Sequence, residues 1–213
     1  MKAFTKERGI VATLNRANVD TDQIIPKQYL KSIKRTGFDE GLFCDWSHRA
    51  DGSPNPDFEL NQPRFNGARI LVVRNNFGCG SSREHAVWAI VQAGFSVVIA
   101  PRRDRNGSSV PAFADIFANN AMKNGLLTVE LSENDVDRIF SAVGGHEGLE
   151  ASVDLEPQTI TLHGTEELVV AFDIDPSKKS YLLRGLDDIA LTFEHEDQIA
   201  QFENRHDMQM TGA

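Results

Sequence analysis

The chain has few of the residues that mark several common classes of protein. Its 213 residues include only two cysteines, Cys44 and Cys79, and they are not at CxxC spacing. Disulfide scaffolds, zinc sites and iron–sulfur sites need more cysteine or histidine ligands than this, and the six histidines are scattered along the chain. We therefore expect any metal chemistry to depend on ligands from another chain.

Positive charge and long apolar runs are also scarce. Lysine and arginine number 22 against 31 aspartates and glutamates, which gives a formal net charge of −9. Phosphate contacts need clustered Lys and Arg, so this balance disfavours nucleic-acid binding. No apolar run reaches the ~20 residues that cross a bilayer, and no apolar signal segment follows Met1. We expect a cytoplasmic protein that contacts neither nucleic acid nor membrane.

Apolar runs in the middle of the chain predict a parallel sheet. Residues 68–73, 95–100 and 126–131 are rich in branched apolar side chains, which is typical of strands buried on both faces. Residues 81–93 and 112–124 predict helices between them, and each is followed by a glycine. Successive β-α-β units imply parallel strands with right-handed crossovers, so we predict an α/β fold.

The rest of the chain follows other patterns. The basic segment 102–109 predicts an exposed loop, and a third helix is predicted to start at Ser132. Three short runs predict antiparallel strands joined by tight turns, at residues 153–155, 159–162 and 168–172. The charged segment from Ser177 to about Glu203 predicts one long helix or a broken pair.

The most distinctive segment, residues 75–86, connects a predicted strand to a predicted helix. It contains Gly78-Cys79-Gly80-Ser81-Ser82-Arg83-Glu84-His85-Ala86. Free backbone N–H groups and the positive end of the helix dipole would face one spot there, and Arg83 can hold a carboxylate or phosphate through two hydrogen bonds. The segment predicts an anion site, although the spacing of Ser81 and Glu84 equally fits a helix capping box.

Common phosphate-binding and catalytic motifs fit this segment poorly. A phosphate-loop NTPase needs lysine where Gly80 stands, and the serine-hydrolase elbow has a different spacing. The dinucleotide fingerprint matches only in its first half, because Arg83 stands where a small residue is needed. Arg102-Arg103 at the end of the next strand could meet a 2′-phosphate, which keeps an NADP-binding protein open as an alternative.

Three separated motifs resemble a known family. They are residues 78–86, residues 19–26, and residues 113–117 together with 119–120 and 124–127. In this order, from Phe4 to about Phe202, they resemble the swivelling domain of the aconitase superfamily. Tyr29-Leu30-Lys31 and residues 37–43 are similar to the bacterial small subunits of isopropylmalate dehydratases.

The resemblance implies a fold and a domain organisation. It implies a three-layer β/β/α swivelling domain of the aconitase type with a helical C-terminal extension. On this interpretation residues 1–175 form the swivelling domain, and residues 176–213 form the extension, packed on the same domain. The segment Arg102–Ala112 departs from the family pattern, because it intervenes after Ala100-Pro101.

The resemblance also implies an activity. Members of the family are hydro-lyases that interconvert 2-isopropylmalate and 3-isopropylmalate by dehydration and rehydration in leucine biosynthesis. In the family a [4Fe–4S] cluster on the large subunit acts as Lewis acid. The chain is therefore expected to bind no cofactor itself and to work with a large subunit, as a heterodimer or heterotetramer, on a small diacid.

The family's site residues can be placed on this sequence. By resemblance, Ser81 removes the proton from the carbon next to a substrate carboxylate, and Arg83 and Ser82 hold that carboxylate. Thr21 and Asp22 match positions at the edge of the active site, although Asp22 equally fits the capping of a turn. Three residues are expected in the loop that selects the substrate side chain, namely Tyr29, Leu30 and Lys31.

Other interpretations stay open at this point. Related hydro-lyases act on homocitrate, or on diacids of the citraconate and methylmalate type, with nearly the same motif. A non-catalytic module that binds anions is a further alternative. Two polar residues of the motif, His85 and Cys79, fit structural roles better than catalytic ones, since Cys79 has no evident base nearby in the sequence.

Overall fold

The computed structural model describes residues 1–31, 36–81, 83–105, 107–185, 192–193 and 196–210. The strands are β1 (Lys6–Thr13), β2 (Ile70–Val72), β3 (Val97–Arg105), β4 (Ser108–Val110), β5 (Leu127–Ser132), β6 (Glu150–Asp154), β7 (Thr159–His163) and β8 (Glu167–Ala171). The helices are α1 (Thr21–Ile24), α2 (Cys44–Ser47), α3 (Glu84–Gln92), α4 (Asp115–Lys123), α5 (Glu133–Gly145), α6 (Pro176–Arg184) and α7 (Glu196–Met210). Short 3₁₀ turns lie at Lys27–Lys31, Asp39–Gly41, Glu59–Asn61 and Pro63–Phe65.

One half of the sheet is parallel, as the β-α-β pattern predicts. Strand β1 pairs with β2, β2 with β3, and β3 with β5, all in parallel. The branched apolar residues of these strands are buried on both faces, among them Ile70, Val97 and Val129. Helix α5 packs on β1, β2 and β3, and α4 packs on β5. This packing removes the apolar runs from water, which is the main stabilising contribution to such a core.

The other half of the sheet is antiparallel and shares strand β1. Residues 6–10 of β1 pair with β6, whereas residues 11–13 pair with β2. Strands β6, β7 and β8 follow one another in antiparallel order, which confirms the three strands predicted there. The eight strands therefore form one mixed sheet, and the α/β fold class predicted from the sequence is confirmed.

The basic segment 102–109 lies in an antiparallel pair of strands, so the predicted loop is wrong, although most of its described residues are exposed. Strand β3 continues to Arg105 and pairs in antiparallel fashion with β4. Ion pairs brace the base of the hairpin, Arg102 with Glu130 at 2.8 Å and Arg103 with Glu133 at 3.4 Å. Hydropathy gave no sign of this strand because cross-strand hydrogen bonds and charges hold it, rather than apolar burial.

The charged C-terminal segment is not one long helix, because among the described residues α6 ends at Gly185 and α7 begins only at Glu196. Asp175 caps α6, and the helix ends at Gly185 in a left-handed conformation with φ of 63°. The main-chain amide of Phe4 donates to the carbonyl of Leu182 at 2.9 Å, so α6 is tied to the N-terminal segment. Among the described residues, no helix is both long and apolar enough to cross a membrane.

Candidate active site

Two loops lie side by side at the carboxyl ends of β1 and β2. The main-chain amide of Gly78 donates to the carbonyl of Val19 at 2.9 Å, and the amide of Thr21 donates to the carbonyl of Cys79 at 3.0 Å. The carboxyl edge of a parallel sheet is where α/β proteins gather their functional loops. The topology therefore brings the motif at residues 75–86 against the motif at residues 19–26.

A third segment fixes the motif from its other side. The amides of Asn76 and Phe77 donate to the carbonyls of Pro111 and Ala112, at 2.9 and 3.0 Å. The side chain of Phe77 is fully buried and contacts Phe117 edge to face, with the ring centroids 5.3 Å apart. All three motifs that carry the family resemblance thus meet at this point of the fold.

Two glycines of the motif are required by their surroundings. Gly78 and Gly80 have φ of 74° and 81°, which a side chain rarely adopts. A Cβ atom on Gly78 would overlap the ring of Phe117, and one on Gly80 would overlap the carboxylate of Asp20. The glycines therefore let two segments approach more closely than any other residue would allow.

Ser81 stands at the exposed end of this loop. Its carbonyl accepts a hydrogen bond from the Thr21 hydroxyl at 2.9 Å. Its side chain is exposed, and its own hydroxyl has no hydrogen-bond partner in the described part of the chain. The hydroxyl is therefore available to a bound molecule.

The predicted helix start and capping box at Ser81 are wrong. Helix α3 begins at Glu84, and its N-cap is Arg83, whose side chain makes no capping hydrogen bond. The hydrogen bond from the Thr21 hydroxyl to the Ser81 carbonyl holds Ser81 in the loop. The positive end of the α3 dipole therefore lies three residues beyond Ser81.

A true capping box lies on the neighbouring loop, at Asp20. Its carboxylate accepts from the amide of Asp22 at 2.7 Å, and the Gln23 side chain accepts from the amide of Asp20 at 2.9 Å. The sequence analysis missed Asp20, although the spacing of an acidic residue and a glutamine three residues later is a known signal.

Arg83 and Asp22 form an ion pair beside Ser81. One terminal nitrogen of Arg83 lies 2.5 Å from Asp22 Oδ1, and Lys27 Nζ lies 3.4 Å from Asp22 Oδ2. The side chains of Arg83 and Asp22 are 23% and 33% exposed. A guanidinium has five N–H donors, so this contact leaves Arg83 able to hold a carboxylate as well. The Asp20 carboxylate also lies beside Gly80, so two cations and two carboxylates surround this end of the loop.

The remaining predicted site residues are placed differently. Thr21 is only 1% exposed. Ser82 lies outside the described residues, as do the side chains of Leu30 and Lys31. The Tyr29 hydroxyl is 3.6 Å from Cys44 Sγ, and that hydrogen bond is the main reason why the pKa of Tyr29 is raised to about 12.

Tyr29 belongs to a separate cavity. The cavity has a volume of about 730 Å³, and its lining includes Cys44, Asp45, His48 and Arg49 but not Ser81 or Arg83. The structure therefore brings Ser81, Thr21, Asp22 and Arg83 together and directs the hydroxyl of Tyr29 elsewhere.

The residues present do not fit an iron–sulfur cluster. Cys44 contacts Tyr29, whereas Cys79 pairs with Asp20 in an isolated bridge between the two loops. Within the described ranges, no three side chains of His, Cys, Asp or Glu are grouped as metal ligands. Burial, with a smaller contribution from the Asp20 carboxylate, raises the pKa of Cys79, which opposes the thiolate that a ligand or nucleophile needs.

Family models match nearly all of the chain. The aconitase C-terminal domain matches residues 1–134, and the LeuD_N model matches residues 137–176. The C-terminal domain of the 3-isopropylmalate dehydratase small subunit matches residues 188–210. These three matches follow one another along the sequence without overlap.

Curated relatives match over their whole length. A 3-isopropylmalate dehydratase small subunit from Desulforapulum autotrophicum is 55% identical over 212 residues, which cover 100% of this chain and 99% of the relative. One from Neisseria meningitidis serogroup C is 52% identical over 214 residues, covering 96% of this chain and 95% of the relative.

A solved structure supports the fold. The crystal structure of a 3-isopropylmalate dehydratase from Methanocaldococcus jannaschii matches with a TM-score of 0.59 and 24% identity, covering 93% of this chain and 99% of that one. The alternative of NADP binding rested on Arg102 and Arg103, which the structure pairs with Glu130 and Glu133, and the names of the relatives do not support it. The sequence matches and the shared fold together show that this chain belongs to the family of 3-isopropylmalate dehydratase small subunits, in the aconitase superfamily.

Proposed function

We propose that the chain supplies the base and part of the substrate site of a 3-isopropylmalate dehydratase. The observation that carries the proposal is the exposed Ser81 hydroxyl, which has no partner among the described residues and lies two positions from Arg83, which Asp22 holds in place. The reaction interconverts 2-isopropylmalate and 3-isopropylmalate through an alkene diacid. Each direction removes a proton from the carbon next to a carboxylate and a hydroxyl from the adjacent carbon.

Ser81, as its alkoxide, takes that proton and becomes a hydroxyl, which gives the proton back when the alkene diacid is rehydrated. A serine hydroxyl is a weak base unless negative charge on its oxygen is stabilised, and nearby positive charge provides this stabilisation. Arg83, two positions from Ser81 and held by Asp22, provides this positive charge locally. Its guanidinium also attracts a carboxylate of the dianionic substrate.

Arg83 holds a substrate carboxylate, with help from Ser82. Asp22 is an unsuitable direct ligand for a diacid, since like charges repel. Its contact with Arg83 instead fixes the guanidinium, so that the donors not used by Asp22 are directed at the substrate. Asp22 therefore belongs to the substrate site through Arg83.

The segment Tyr29-Leu30-Lys31 contacts the isopropyl group of the substrate. The family resemblance supports this assignment, and an apolar Leu30 suits an isopropyl group. The Tyr29 hydroxyl is bonded to Cys44 and lies 3.4 Å from the carbonyl of Glu40. Tyr29 therefore contributes by holding this segment, and related diacids with other side chains are the natural comparison substrates.

The site is completed by a large subunit. That partner carries the [4Fe–4S] cluster, which supplies Lewis acidity toward the leaving hydroxyl when bound. The described residues of this chain offer no ligand group for such a cluster, and the names of the relatives specify a small subunit. We place the partner against the exposed end of the Ser81 loop, in a heterodimer or heterotetramer.

The test combines this chain with its large subunit and follows the absorbance of the alkene diacid. Ser81→Ala is expected to lower kcat by about 10³-fold and Arg83→Lys by about 10²-fold, since removal of a general base or of one charge-stabilising donor has effects of this size. Ser141→Ala, at an exposed serine of α5, is the matched control and should keep full activity.

Two outcomes would contradict the proposal. One is turnover that survives in both Ser81→Ala and Arg83→Lys. The other is a preference for homocitrate or methylmalate over isopropylmalate when the wild-type complex is offered each substrate in turn.

A further inference from the structure

Thr21 holds both ends of the short stretch that ends in Ser81. Its amide donates to the carbonyl of Cys79 at 3.0 Å, and its hydroxyl donates to the carbonyl of Ser81 at 2.9 Å. Gly80 lies between these two carbonyls with φ of 81°. One residue therefore fixes the backbone on both sides of a left-handed position.

Thr21 is itself held in place. It is the first residue of α1, which the capping box of Asp20 and Gln23 stabilises. The side chain is 1% exposed, and its hydroxyl proton is used in the bond to Ser81. A substrate in the open site would reach Ser81 and Arg83 but not the Thr21 hydroxyl.

We infer that Thr21 is a positioning residue, which sets the direction of the Ser81 side chain and does not touch the substrate. The inference rests on the proposed function, because it assigns Thr21 a role through the base of that reaction. The hydroxyl also keeps Ser81 out of helix α3, which starts three residues later. This role gives a specific meaning to the expectation that Thr21 lies at the edge of the active site.

Loss of the Thr21 hydroxyl is expected to lower kcat and to leave KM nearly unchanged. Loss of the Thr21 hydroxyl lets the Ser81 backbone shift, and misplacement of a base by about 1 Å can cost 10²-fold in rate. Substrate binding through Arg83 stays, because Asp22 still holds the guanidinium. A direct substrate contact by Thr21 would instead raise KM.

The test uses the complex with the large subunit and reports kcat per folded complex, counted by size-exclusion chromatography. Thr21→Val keeps the shape and removes the hydroxyl, and it should lower kcat at least tenfold with KM within about twofold. Thr21→Ser keeps the donor and should retain more than half of the wild-type kcat. Thr161→Val on β7 is the matched control and should leave both constants unchanged.

Each remaining outcome overturns the inference. A raised KM at unchanged kcat means that Thr21 contacts substrate, and an unchanged kcat per folded complex with a lower melting temperature means that it only stabilises the fold. If Thr21→Val does not assemble, Thr21→Cys, with a weak S–H donor, should show an intermediate kcat, and an unchanged kcat would overturn the inference. If the wild-type complex is inactive on isopropylmalate, the proposed function fails instead.

Discussion

The loop that carries Ser81 and the region around Tyr29 are built in different ways. Main-chain hydrogen bonds from two neighbouring segments hold the Ser81 loop, and two of its glycines lie in close contact with other residues. The Tyr29 region is held through side chains, such as the contact of the hydroxyl with Cys44, and it borders a cavity. The backbone of the Ser81 loop is therefore held closely in position, whereas the Tyr29 region leaves an open cavity beside it.

This difference suits the two proposed tasks. Proton transfer needs a base placed within a fraction of an ångström, and backbone hydrogen bonds on both sides of a loop provide that placement. Selection among diacids is proposed for the segment at residues 29–31, where single side-chain changes can alter the contact with the substrate. Substitutions should therefore be costly in the first region and tolerated in the second.

Among the substitutions that test this contrast, the largest effect is expected from a matched pair of glycine changes. Gly80 and Gly52 have nearly equal φ, 81° and 82°, but a Cβ atom on Gly80 would overlap Asp20, whereas one on Gly52 would meet nothing within 4 Å. Both Gly→Ala changes incur the left-handed strain of ~1–2 kcal/mol. Only in Gly80→Ala must the Asp20 carboxylate and the Ser81 loop also move apart. The kcat/KM of this variant, measured with the large subunit, should therefore fall by about 10²-fold or more.

Gly52→Ala is expected to keep kcat/KM within about twofold and to lose only stability in a denaturant titration. Equal losses of activity in the two variants would mean that backbone strain, rather than the contact with Asp20, governs the effect. The contrast between the two regions would then be wrong.

A smaller effect is expected for Asp22→Asn. The change keeps the shape of the side chain and removes the charge that pairs with Arg83 and Lys27. The freed guanidinium loses its fixed direction, so KM for isopropylmalate should rise about tenfold, measured by steady-state kinetics. A lower KM would show that Asp22 competes with the substrate carboxylate for Arg83.

The thiol of Cys79 should react several-fold more slowly than a free cysteine. Burial first and the Asp20 carboxylate second raise the pKa of Cys79, so little thiolate forms near neutral pH. Alkylation by iodoacetamide in a Cys44→Ser background isolates this thiol. Its rate should reach half-maximum at a pH above the usual ~8.5 of a cysteine, and a midpoint below that value would contradict the close packing of the loop.

The smallest effect is expected from Tyr29→Phe. Because the folded state raises the pKa of Tyr29 to about 12, the neutral phenol contributes stability that is fully present below pH ~10. That contribution is lost as the pH rises from about 10 through 12. The difference in denaturation midpoint between wild type and Tyr29→Phe should therefore shrink over this range, and a constant difference would contradict the raised pKa.

The sequence predicts the parallel strands well because their apolar runs are local patterns. It fails for the start of α3, where the local spacing favours Ser81 as N-cap but the distant hydroxyl of Thr21 holds Ser81 in the loop. It also fails for the β3–β4 hairpin, whose polar residues show no apolar period.

The site can be predicted only in part from the sequence, because some of its contacts also join distant residues. Ser81 and Arg83 lie in a distinctive segment, so the resemblance identifies them directly. The contact of Arg83 with Asp22 joins residues 61 positions apart, and no local spacing encodes it. The capping of α1 by Asp20 is local and has a known spacing, whereas the contact of its carboxylate with Gly80 joins distant residues, so no local pattern encodes it.

Strand β1 links the site to a part of the protein that contains none of its predicted residues. Residues 6–10 pair with β6 and residues 11–13 pair with β2, and the chain then leads to the loop that ends in Asp20 and Thr21. Because these are consecutive residues of one strand, the antiparallel half and the site share a single stretch of backbone. The position of the loop that carries Thr21 therefore depends on the pairing of β1 with both halves of the sheet.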